Sequence, residues 1–284
     1  MYSANFDYYQ PKTLNEALKL LKQHGKKAKI IAGGHSLLPA MKLRQALPMV
    51  LVDIGKLKLS GIKATKTSIS IGALTTHAEI AASKVLMSKC PILTEAALQI
   101  GDTQVRNRGT IGGSLAHADP AADLPTVMTA LGAKLITSSK RTIAADKFFV
   151  DLFATALKSG EVLTEIQVPM MAKGTGGAYL KHRHPASSYA VVGVAAIMAK
   201  ENGACSRVSV VVGGATTNPV RAVAAEKALT GKPLNDETIS AAAAKVAEAI
   251  TDPLGDIYAS GEYRTHLATV LAGRALKLAG ERAS

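Results

Sequence analysis

The spacing of apolar residues in the first half of the chain alternates between the period of a helix and that of a strand. A helix is predicted between Thr13 and Gly25, since one face carries apolar residues at i, i+3, i+4 and i+7: Leu14, Ala17, Leu18 and Leu21. Thr13 and Glu16 have the spacing of a capping box at its start. Short apolar or alternating runs predict strands at 29–31, 50–54, 68–73, 133–137 and 161–169.

Start and stop signals predict three more helices before residue 140. Thr76 and Glu79 have the spacing of a second capping box, which opens a helix through Ala82. Pro91 is suited to the first position of a helix that reaches about residue 100. The apolar stretch 125–131 is compatible with a helix that ends at a glycine.

The last third of the chain predicts a small antiparallel sheet covered by helices. Apolar runs at 189–199 and 207–213 flank Asn202-Gly203, which is a hairpin signal. Ala-rich helices are predicted at 221–229, 235–250 and 261–279. The glycine-rich stretch 172–177 is interpreted as a linker. We therefore divide the chain into a domain at 1–173, with parts at 1–55 and 56–173, and an α+β domain at 174–284.

Composition and charge indicate a globular protein and limit its partners. The chain has 284 residues, of which 48% are hydrophobic and 19% are charged. The formal net charge of +13 has two interpretations: a basic surface that favours solubility, or an affinity for an anionic ligand or acidic partner subunits. No nucleic-acid partner is expected, because Lys and Arg are scattered and no aromatic residues are interleaved with them.

The positions of the cysteines and of the apolar runs predict whether the chain has a metal site or a membrane span and in which compartment it occurs. Cys90 and Cys205 are far apart and form no CxxC, so we expect no zinc or iron–sulfur site within this chain. Free thiols of this kind are typical of a reducing compartment, and we expect a cytoplasmic protein. Residues 1–9 lack the features of a signal peptide. No uninterrupted apolar run approaches the ~20 residues of a membrane span, so none is expected.

Two stretches with paired glycines carry the chemical signal, at 30–37 and 110–125. The Rossmann, P-loop, GxSxG and HExxH motifs are absent. Paired glycines let a backbone approach a ligand closely, and consecutive N–H groups form a concavity that binds anions. Each stretch also holds small hydroxyl residues, namely Ser36, Thr110 and Ser114. We therefore predict that the two stretches close over one pyrophosphate.

The amino-acid sequences of these two stretches resemble motifs of a known family. Ala32-Gly33-Gly34-His35-Ser36-Leu37-Leu38-Pro39, with Thr110-Ile111-Gly112-Gly113-Ser114 preceded by residues 104–109, is similar to the two flavin-binding signatures of the FAD-binding medium subunits of molybdenum hydroxylases. This is the family of xanthine dehydrogenase and aerobic carbon monoxide dehydrogenase. The resemblance covers essentially the whole chain. It implies a two-part FAD-binding domain of the vanillyl-alcohol oxidase (PCMH) type, followed by a small α+β domain of the carbon monoxide dehydrogenase flavoprotein C-terminal type.

The resemblance implies a set of cofactor contacts. Backbone N–H groups would hold the pyrophosphate from two sides, at Ile30, Ile31, Ala32, Gly33, Gly34, His35, Ser36 and Leu37, and at Thr110, Ile111, Gly112, Gly113 and Ser114. A pyrophosphate would repel the carboxylate of Asp123, so we assign this residue to a ribose or ribityl hydroxyl; the alternative is a helix N-cap.

Three residues further along the chain are implied to contact the flavin. Ile166 and Lys181 stand where the family has flavin contacts, and Lys181 would favour an anionic reduced flavin. The alternative for Lys181 is a solvated surface lysine. Tyr189 is expected to cover the isoalloxazine or to gate the access of an oxidant.

The histidines are interpreted as binding residues. His35 and His117 are expected to line the cofactor, and no catalytic residue is assigned, because the family hydroxylates its substrate on another subunit. His182 and His184 have the spacing of a metal pair, but no third ligand is evident and no metal site is predicted.

The resemblance implies a redox subunit. FAD would take electrons from [2Fe–2S] clusters on a small subunit, which receive them from a molybdenum cofactor on a large subunit, and pass them to an external acceptor. A dimer of heterotrimers is expected. The alternatives are a stand-alone oxidase of the vanillyl-alcohol oxidase type and a non-enzymatic nucleotide-binding module. The sequence specifies neither the substrate (carbon monoxide, an aldehyde, a purine or an N-heterocycle) nor the acceptor (quinone, NAD or oxygen).

Overall fold

The N-terminal part of the chain forms a small parallel sheet with a helix packed on it. A computed structural model describes residues 2–283. Three strands lie in the order β1-β3-β2, and the buried side chains of β3 pack on Ala17 and Leu21 of the first helix. The elements are β1 (Asp7–Tyr9), α1 (Leu14–His24), β2 (Ala28–Ile31), α2 (Leu37–Lys42) and β3 (Val50–Asp53).

A five-stranded antiparallel sheet and six helices follow. The strand order is β4-β5-β10-β6-β7, and a separate two-stranded hairpin lies between β7 and β10. The strands are β4 (Ile62–Ala64), β5 (Ser68–Gly72), β6 (Lys134–Thr137), β7 (Thr142–Ala144), the hairpin β8 (Phe149–Asp151) and β9 (Ala154–Thr155), and β10 (Leu163–Pro169). The helices are α3 (His77–Ala81), α4 (Lys84–Lys89), α5 (Pro91–Leu98), α6 (Thr103–Arg108), α7 (Ile111–His117) and α8 (Asp123–Leu131).

The C-terminal part is an antiparallel sheet with helices on both faces. Its strands are β11 (Thr175–Arg183), β12 (Ala190–Glu201), β13 (Ala204–Gly213) and β14 (Val220–Arg221), in that order across the sheet. The helices of this part are α9 (Val223–Leu229), α10 (Asp236–Ala244) and α11 (Gly261–Arg282). They cover one face, and α5 and α8 of the preceding part cover the other. Burial of both faces explains why β12 reads as an almost continuous apolar run.

Local signals predicted most of these elements. The hairpin turn at Asn202 and Gly203 has φ values of 50° and 81°, which the Asn-Gly pair is suited to adopt. The capping box of Thr76 and Glu79 is complete. At α1, Thr13 accepts the N–H of Glu16, but the Glu16 carboxylate accepts the N–H of Lys12, so only half of that predicted box is present.

The predicted linker is shorter than the glycine content indicated. Gly176 and Gly177 lie inside β11, and the connection from β10 ends at Gly174. A Cβ at Gly176 would lie 2.0 Å from the carbonyl oxygen of Ala279, so this glycine allows α11 to pack closely on the sheet. Within residues 2–283, no helix combines the length and the apolar character needed to cross a bilayer.

Candidate functional site

The two glycine-bearing stretches line one cavity of about 850 Å³. The loop after β2 supplies one wall and α7 supplies the other, although the two are far apart in sequence. Fifteen of the eighteen predicted site residues line this cavity: Ile30, Ile31, Ala32, Gly33, Gly34, His35, Ser36, Leu37, Thr110, Gly112, Gly113, Ser114, His117, Asp123 and Tyr189. The other three, Ile111, Ile166 and Lys181, do not line it.

The loop after β2 offers unpaired hydrogen-bond donors to the cavity. The backbone N–H groups of Gly33, Gly34, His35 and Ser36 have no acceptor among residues 2–283. Gly34 has a φ of 78°, which a glycine adopts without steric cost. Consecutive free N–H groups in such a turn attract an anion. The first stretch therefore has the donors that a pyrophosphate needs.

The second stretch is a helix and not the predicted turn. Ile111 and Leu115 are fully buried, and this burial holds α7 in a helical conformation despite its two glycines. Thr110 caps the helix, with its Oγ1 accepting the N–H of Gly113 at 3.1 Å.

The N–H groups of this helix start are already used within the protein. Those of Ile111, Gly112 and Ser114 donate to the carbonyl oxygens of Thr75, Ala73 and Thr110, respectively. The expectation that both stretches present free N–H groups is therefore wrong for the second. On this wall, Ser114 and Gly113 line the cavity. Ser114 offers a hydroxyl group, and Gly113 has no side chain.

Two of the glycines serve the contact of one protein segment with another. A Cβ at Gly33 would lie 2.0 Å from the carbonyl oxygen of Arg108, and one at Gly112 would lie 2.6 Å from Ala73. No Cβ occurs so close to a backbone atom, so these glycines allow the segments around the cavity to touch. At Gly113 an added Cβ would meet only Thr110 Oγ1, at 2.8 Å. Gly33 and Gly112 therefore line the cavity and also allow close contact between protein segments.

Asp123 is buried in the cavity wall and has protein partners. The Tyr179 hydroxyl donates to Asp123 Oδ1 at 2.6 Å, and Lys181 Nζ lies 2.8 Å from the same oxygen. Ala122, not Asp123, is the N-cap of α8, so the capping alternative is wrong. Burial raises the pKa of Asp123 and lowers that of Lys181, and the opposite charge of each partner counteracts this effect. A carboxylate has room for a further donor, such as a sugar hydroxyl.

Lys181 is neither a surface lysine nor a residue of the cavity wall. Its ammonium group donates to Asp123 and to the carbonyl oxygens of Gln99 and Ser188, at 2.9 and 2.7 Å. These three bonds use all the protons of the ammonium group. Lys181 thus ties β11 to the loop that carries Tyr189, and a direct flavin contact would require one of the three bonds to break.

Leu163, and not Ile166, is the residue of β10 in the cavity wall. Ile166 is fully buried at the centre of the five-stranded sheet, opposite Ile71 on one side and Leu135 on the other. The structure therefore does not place Ile166 at the site.

The two predicted binding histidines line the cavity in different ways. His35 Nδ1 lies 3.1 Å from the carbonyl oxygen of Gly33, which orients the ring on the loop. The ring of His117 packs against Phe153 with a centroid distance of 5.0 Å. Burial lowers the pKa of His117, and the charge of Lys29 adds to this effect against that of Asp119.

Sequence reasoning missed a third histidine, His77, in the cavity wall. It is the first residue of α3 and is buried, and its Nδ1 has no hydrogen-bond partner among the described residues. Burial, together with His35 and Arg106, lowers its pKa to about 4. The sequence marks this position only as the residue after the Thr76 cap, and that signal does not indicate a ligand.

A further wall, formed by residues 153–163, also went unpredicted. It includes Phe153 at the tip of the β8–β9 hairpin and the loop before β10. Glu161 holds that loop, since its carboxylate accepts bonds from Thr137, Arg141 and the N–H of Lys158. No motif marks this segment, because its contribution is apolar contact and backbone.

The two histidines at 182 and 184 pack among tyrosines. His184 lies 4.7 Å from Tyr258 between ring centroids, and His182 lies 6.3 Å from Tyr263. Among residues 2–283, no group of three His, Cys, Asp or Glu side chains is placed to hold a metal ion.

The cavity combines the features that a dinucleotide requires. Free N–H groups and hydroxyls from Gly33 to Ser36 and at Ser114 suit two phosphates. Apolar side chains, including Leu74 and Leu163, and the rings of Phe153 and Tyr189 suit planar ring systems. The residues present therefore fit FAD.

Comparisons with known proteins agree with this geometry. Residues 4–171 match the family described as the FAD binding domain in molybdopterin dehydrogenase, and residues 177–279 match the CO dehydrogenase flavoprotein C-terminal domain. The chain is 38% identical over 286 residues to the carbon monoxide dehydrogenase medium chain of Hydrogenophaga pseudoflava, covering 99% of each. It is also 38% identical over 281 residues to the glyceraldehyde dehydrogenase medium chain of Sulfolobus acidocaldarius, covering 98% of this chain and 99% of the relative.

A solved structure extends the likeness to the whole fold. A chain of the Hydrogenophaga pseudoflava carbon monoxide dehydrogenase that lacks the Mo-pyranopterin moiety of the molybdenum cofactor superimposes with a TM-score of 0.96 at 41% identity, and each chain is covered completely. The two matched regions therefore share the fold of that chain. The chain belongs to the family of FAD-binding medium subunits of molybdenum hydroxylases.

Proposed function

We propose that the cavity holds the FAD of this subunit with its pyrophosphate between the loop after β2 and the start of α7. The observation that carries this proposal is the meeting of the two glycine-bearing stretches across one cavity. The N–H groups of Gly33 to Ser36 donate to the phosphates, and the hydroxyl of Ser114 approaches from the opposite wall. The loop after β2 thus supplies most of the donors, and α7 supplies a close and largely flat surface.

The isoalloxazine lies at the end of the cavity where Asp123 and Tyr189 meet. Tyr189 is 40% exposed and lines the cavity, and the N–H of the next residue, Ala190, bonds to Ala121 before α8. Asp123 faces the same region with one acceptor position free for a hydroxyl. When bound, FAD supplies the redox chemistry, accepting electrons from [2Fe–2S] clusters of a partner and giving them to an external acceptor. The chain itself binds and orients the cofactor, and it excludes water from one side.

The substrate of the complex is selected on a partner subunit. Two relatives named for different substrates, carbon monoxide and glyceraldehyde, are each 38% identical to this chain. Medium chains from complexes with different substrates are therefore equally similar to this chain, so overall similarity does not indicate its substrate. We place this chain with a large molybdenum-binding subunit and a small [2Fe–2S] subunit, as a dimer of heterotrimers. Its two free and buried cysteines favour a cytoplasmic complex.

The test is the flavin content of the purified full chain, followed by its redox partners. We expect one FAD per chain, reducible by dithionite and reoxidised by one of quinone, NAD or oxygen. With the partner subunits present, the substrate of the complex should reduce the flavin; without them, it should not. Turnover of a small alcohol by the isolated chain would favour the stand-alone oxidase instead. A chain that binds nucleotides but no flavin would favour the nucleotide-binding module.

A further inference from the structure

Phe153 stands in the cavity wall in an unusual backbone conformation. It lies at the tip of the β8–β9 hairpin with a φ of 52°, in the left-handed region that bulky residues seldom adopt. Its side chain is 52% exposed, although it is a large aromatic group. Conformations of this kind persist where the surrounding structure holds them, and they are concentrated at ligand-binding sites.

The base of the hairpin is firmly anchored, so the exposed ring has a defined position. Phe148 and Phe149 are buried and pack edge to face at a centroid distance of 5.2 Å. The carbonyl oxygen of Phe149 accepts a bond from Asn218 of the C-terminal domain at 3.3 Å. Asp151 Oδ1 accepts the N–H of Leu152 at 2.8 Å, which shapes the tip.

The ring of Phe153 meets the ring of His117 to form a continuous aromatic surface. The centroids are 5.0 Å apart and the planes are tilted by 43°. His117 is the last residue of α7, and Gly113 precedes it by four residues on the same helix. Four helical residues rise about 6 Å. The His117–Phe153 pair thus lies beyond the C-terminal end of the helix that forms the proposed phosphate wall.

We propose that Phe153 and His117 form a stacking shelf for one of the two planar heteroaromatic rings of the bound dinucleotide. The proposal rests on the proposed function, since it names a second contact region for the same cofactor. A flat ring on this shelf covers the exposed face of Phe153 and gains the dispersion and quadrupole interactions of stacked aromatic systems. His117 is suited to the role because burial lowers its pKa, so that it offers a neutral ring.

The hairpin tip provides a matched control. Leu152 precedes Phe153 and is 49% exposed, but it does not line the cavity. A change at Leu152 removes similar apolar surface from the same tip without touching the shelf. Phe153→Ala, Phe153→Tyr and Leu152→Ala therefore separate an aromatic contact with the ligand from a general effect on the hairpin.

The experiment measures the dissociation constants of FAD, ADP and FMN for the flavin-stripped full chain and the three variants. Phe153→Ala should weaken FAD binding about 10-fold, by analogy with the loss of one base–aromatic stack. Phe153→Tyr should restore it, and Leu152→Ala should match the wild type. A parallel loss for ADP identifies the ring as adenine, and a parallel loss for FMN identifies it as the isoalloxazine.

Equal FAD affinity in Phe153→Ala and the wild type would overturn the shelf while leaving the proposed function intact. An equal loss in Leu152→Ala, or no recovery in Phe153→Tyr, would also overturn it. A wild-type chain that binds no FAD would instead overturn the proposed function itself. The two failures are therefore distinguishable in one set of titrations.

Discussion

Lys181 joins the C-terminal domain to the cavity wall through Asp123, with Nζ 2.8 Å from Oδ1. Only 1% of the Lys181 side chain and 5% of the Asp123 side chain are exposed. The contact links β11 to α8, two elements on either side of the predicted domain boundary. Because the same ammonium group also binds the carbonyl oxygen of Ser188, it fixes the segment that leads to Tyr189. The geometry of one end of the site thus depends on a residue that does not line it.

Lys181→Met should destabilise the protein by removing the cation that balances a buried carboxylate. Loss of one partner of a buried ion pair costs about 3–5 kcal/mol, and we expect a decrease of that order in the free energy of unfolding. Urea denaturation of the flavin-free chain measures it. Lys181→Met/Asp123→Asn should recover part of the loss, because the uncompensated charge is gone.

The exposed ion pair of Lys277 and Asp236 is the control for this prediction. Its N–O distance is also 2.8 Å, but the two side chains are 55% and 84% exposed. Water screens such a pair, so Lys277→Met should change the stability far less. Similar effects of Lys181→Met and Lys277→Met would contradict the role assigned to burial.

Gly33→Ala and Gly113→Ala should behave differently although both residues line the cavity. The methyl group that Gly33→Ala adds would collide with backbone atoms of Arg108, and the resulting shift should cost about 1–3 kcal/mol of stability. Gly113→Ala gains up to about 1 kcal/mol of helix propensity, but its methyl group would lie 2.8 Å from the Thr110 hydroxyl that caps α7. The hydroxyl must shift, so the two effects oppose each other and the net change in stability should stay within about 1 kcal/mol. Thermal unfolding and FAD titration measure the two effects separately.

We expect Gly113→Ala to bind FAD more weakly while remaining folded, since Gly113 lines the cavity. Gly33→Ala should lose both stability and FAD. If Gly33→Ala unfolds at the wild-type temperature, the close approach of the loop to Arg108 is not required. If Gly113→Ala binds FAD as tightly as the wild type, α7 is not a wall of the cofactor site.

His77 should make the folded state less stable as the pH falls below 6.5. Its pKa is lowered from 6.5 to about 4 in the folded chain, so over this range the unfolded chain binds a proton that the folded chain rejects. Stability that is present above pH 6.5 is thus lost as the pH approaches 4. Between pH 7 and pH 5 the contribution of His77 to this loss should be about 2 kcal/mol.

The measurement compares urea unfolding at pH 7 and pH 5 for the wild type and His77→Gln. The variant should lose about 2 kcal/mol less than the wild type over this interval, whatever its stability at pH 7. His266→Gln, at an exposed position on α11, serves as the control for the substitution itself. If His77→Gln and the wild type lost the same free energy of unfolding between pH 7 and pH 5, protonation of His77 would not destabilise the folded chain.

The sequence predicted those features that depend on neighbours along the chain. The helical periodicity after Thr13, the Thr76 cap and the Asn202-Gly203 turn are local, and each appears in the structure. The helix α7 was missed because Gly112-Gly113 favours a turn locally, and only the burial of Ile111 and Leu115 favours the helix. Tertiary packing overrides intrinsic propensity at this point.

Long-range pairing accounts for the other differences at the site. Asp123 and Lys181 are 58 residues apart, and neither neighbourhood indicates that they bond to each other. The choice between Ile166 and Leu163 depends on where β10 meets the cavity, which the alternation of its side chains does not specify. Phe153 carries no motif, and its importance follows only from the path of the hairpin over the cavity.

A crystal structure of the full chain with FAD would show whether the cofactor occupies the cavity between the loop after β2 and α7. We expect one FAD per chain, with phosphate oxygens within hydrogen-bonding distance of N–H groups between Gly33 and Ser36 and of the Ser114 hydroxyl. A flavin bound elsewhere on the chain, or a pyrophosphate that touches neither wall, would contradict it.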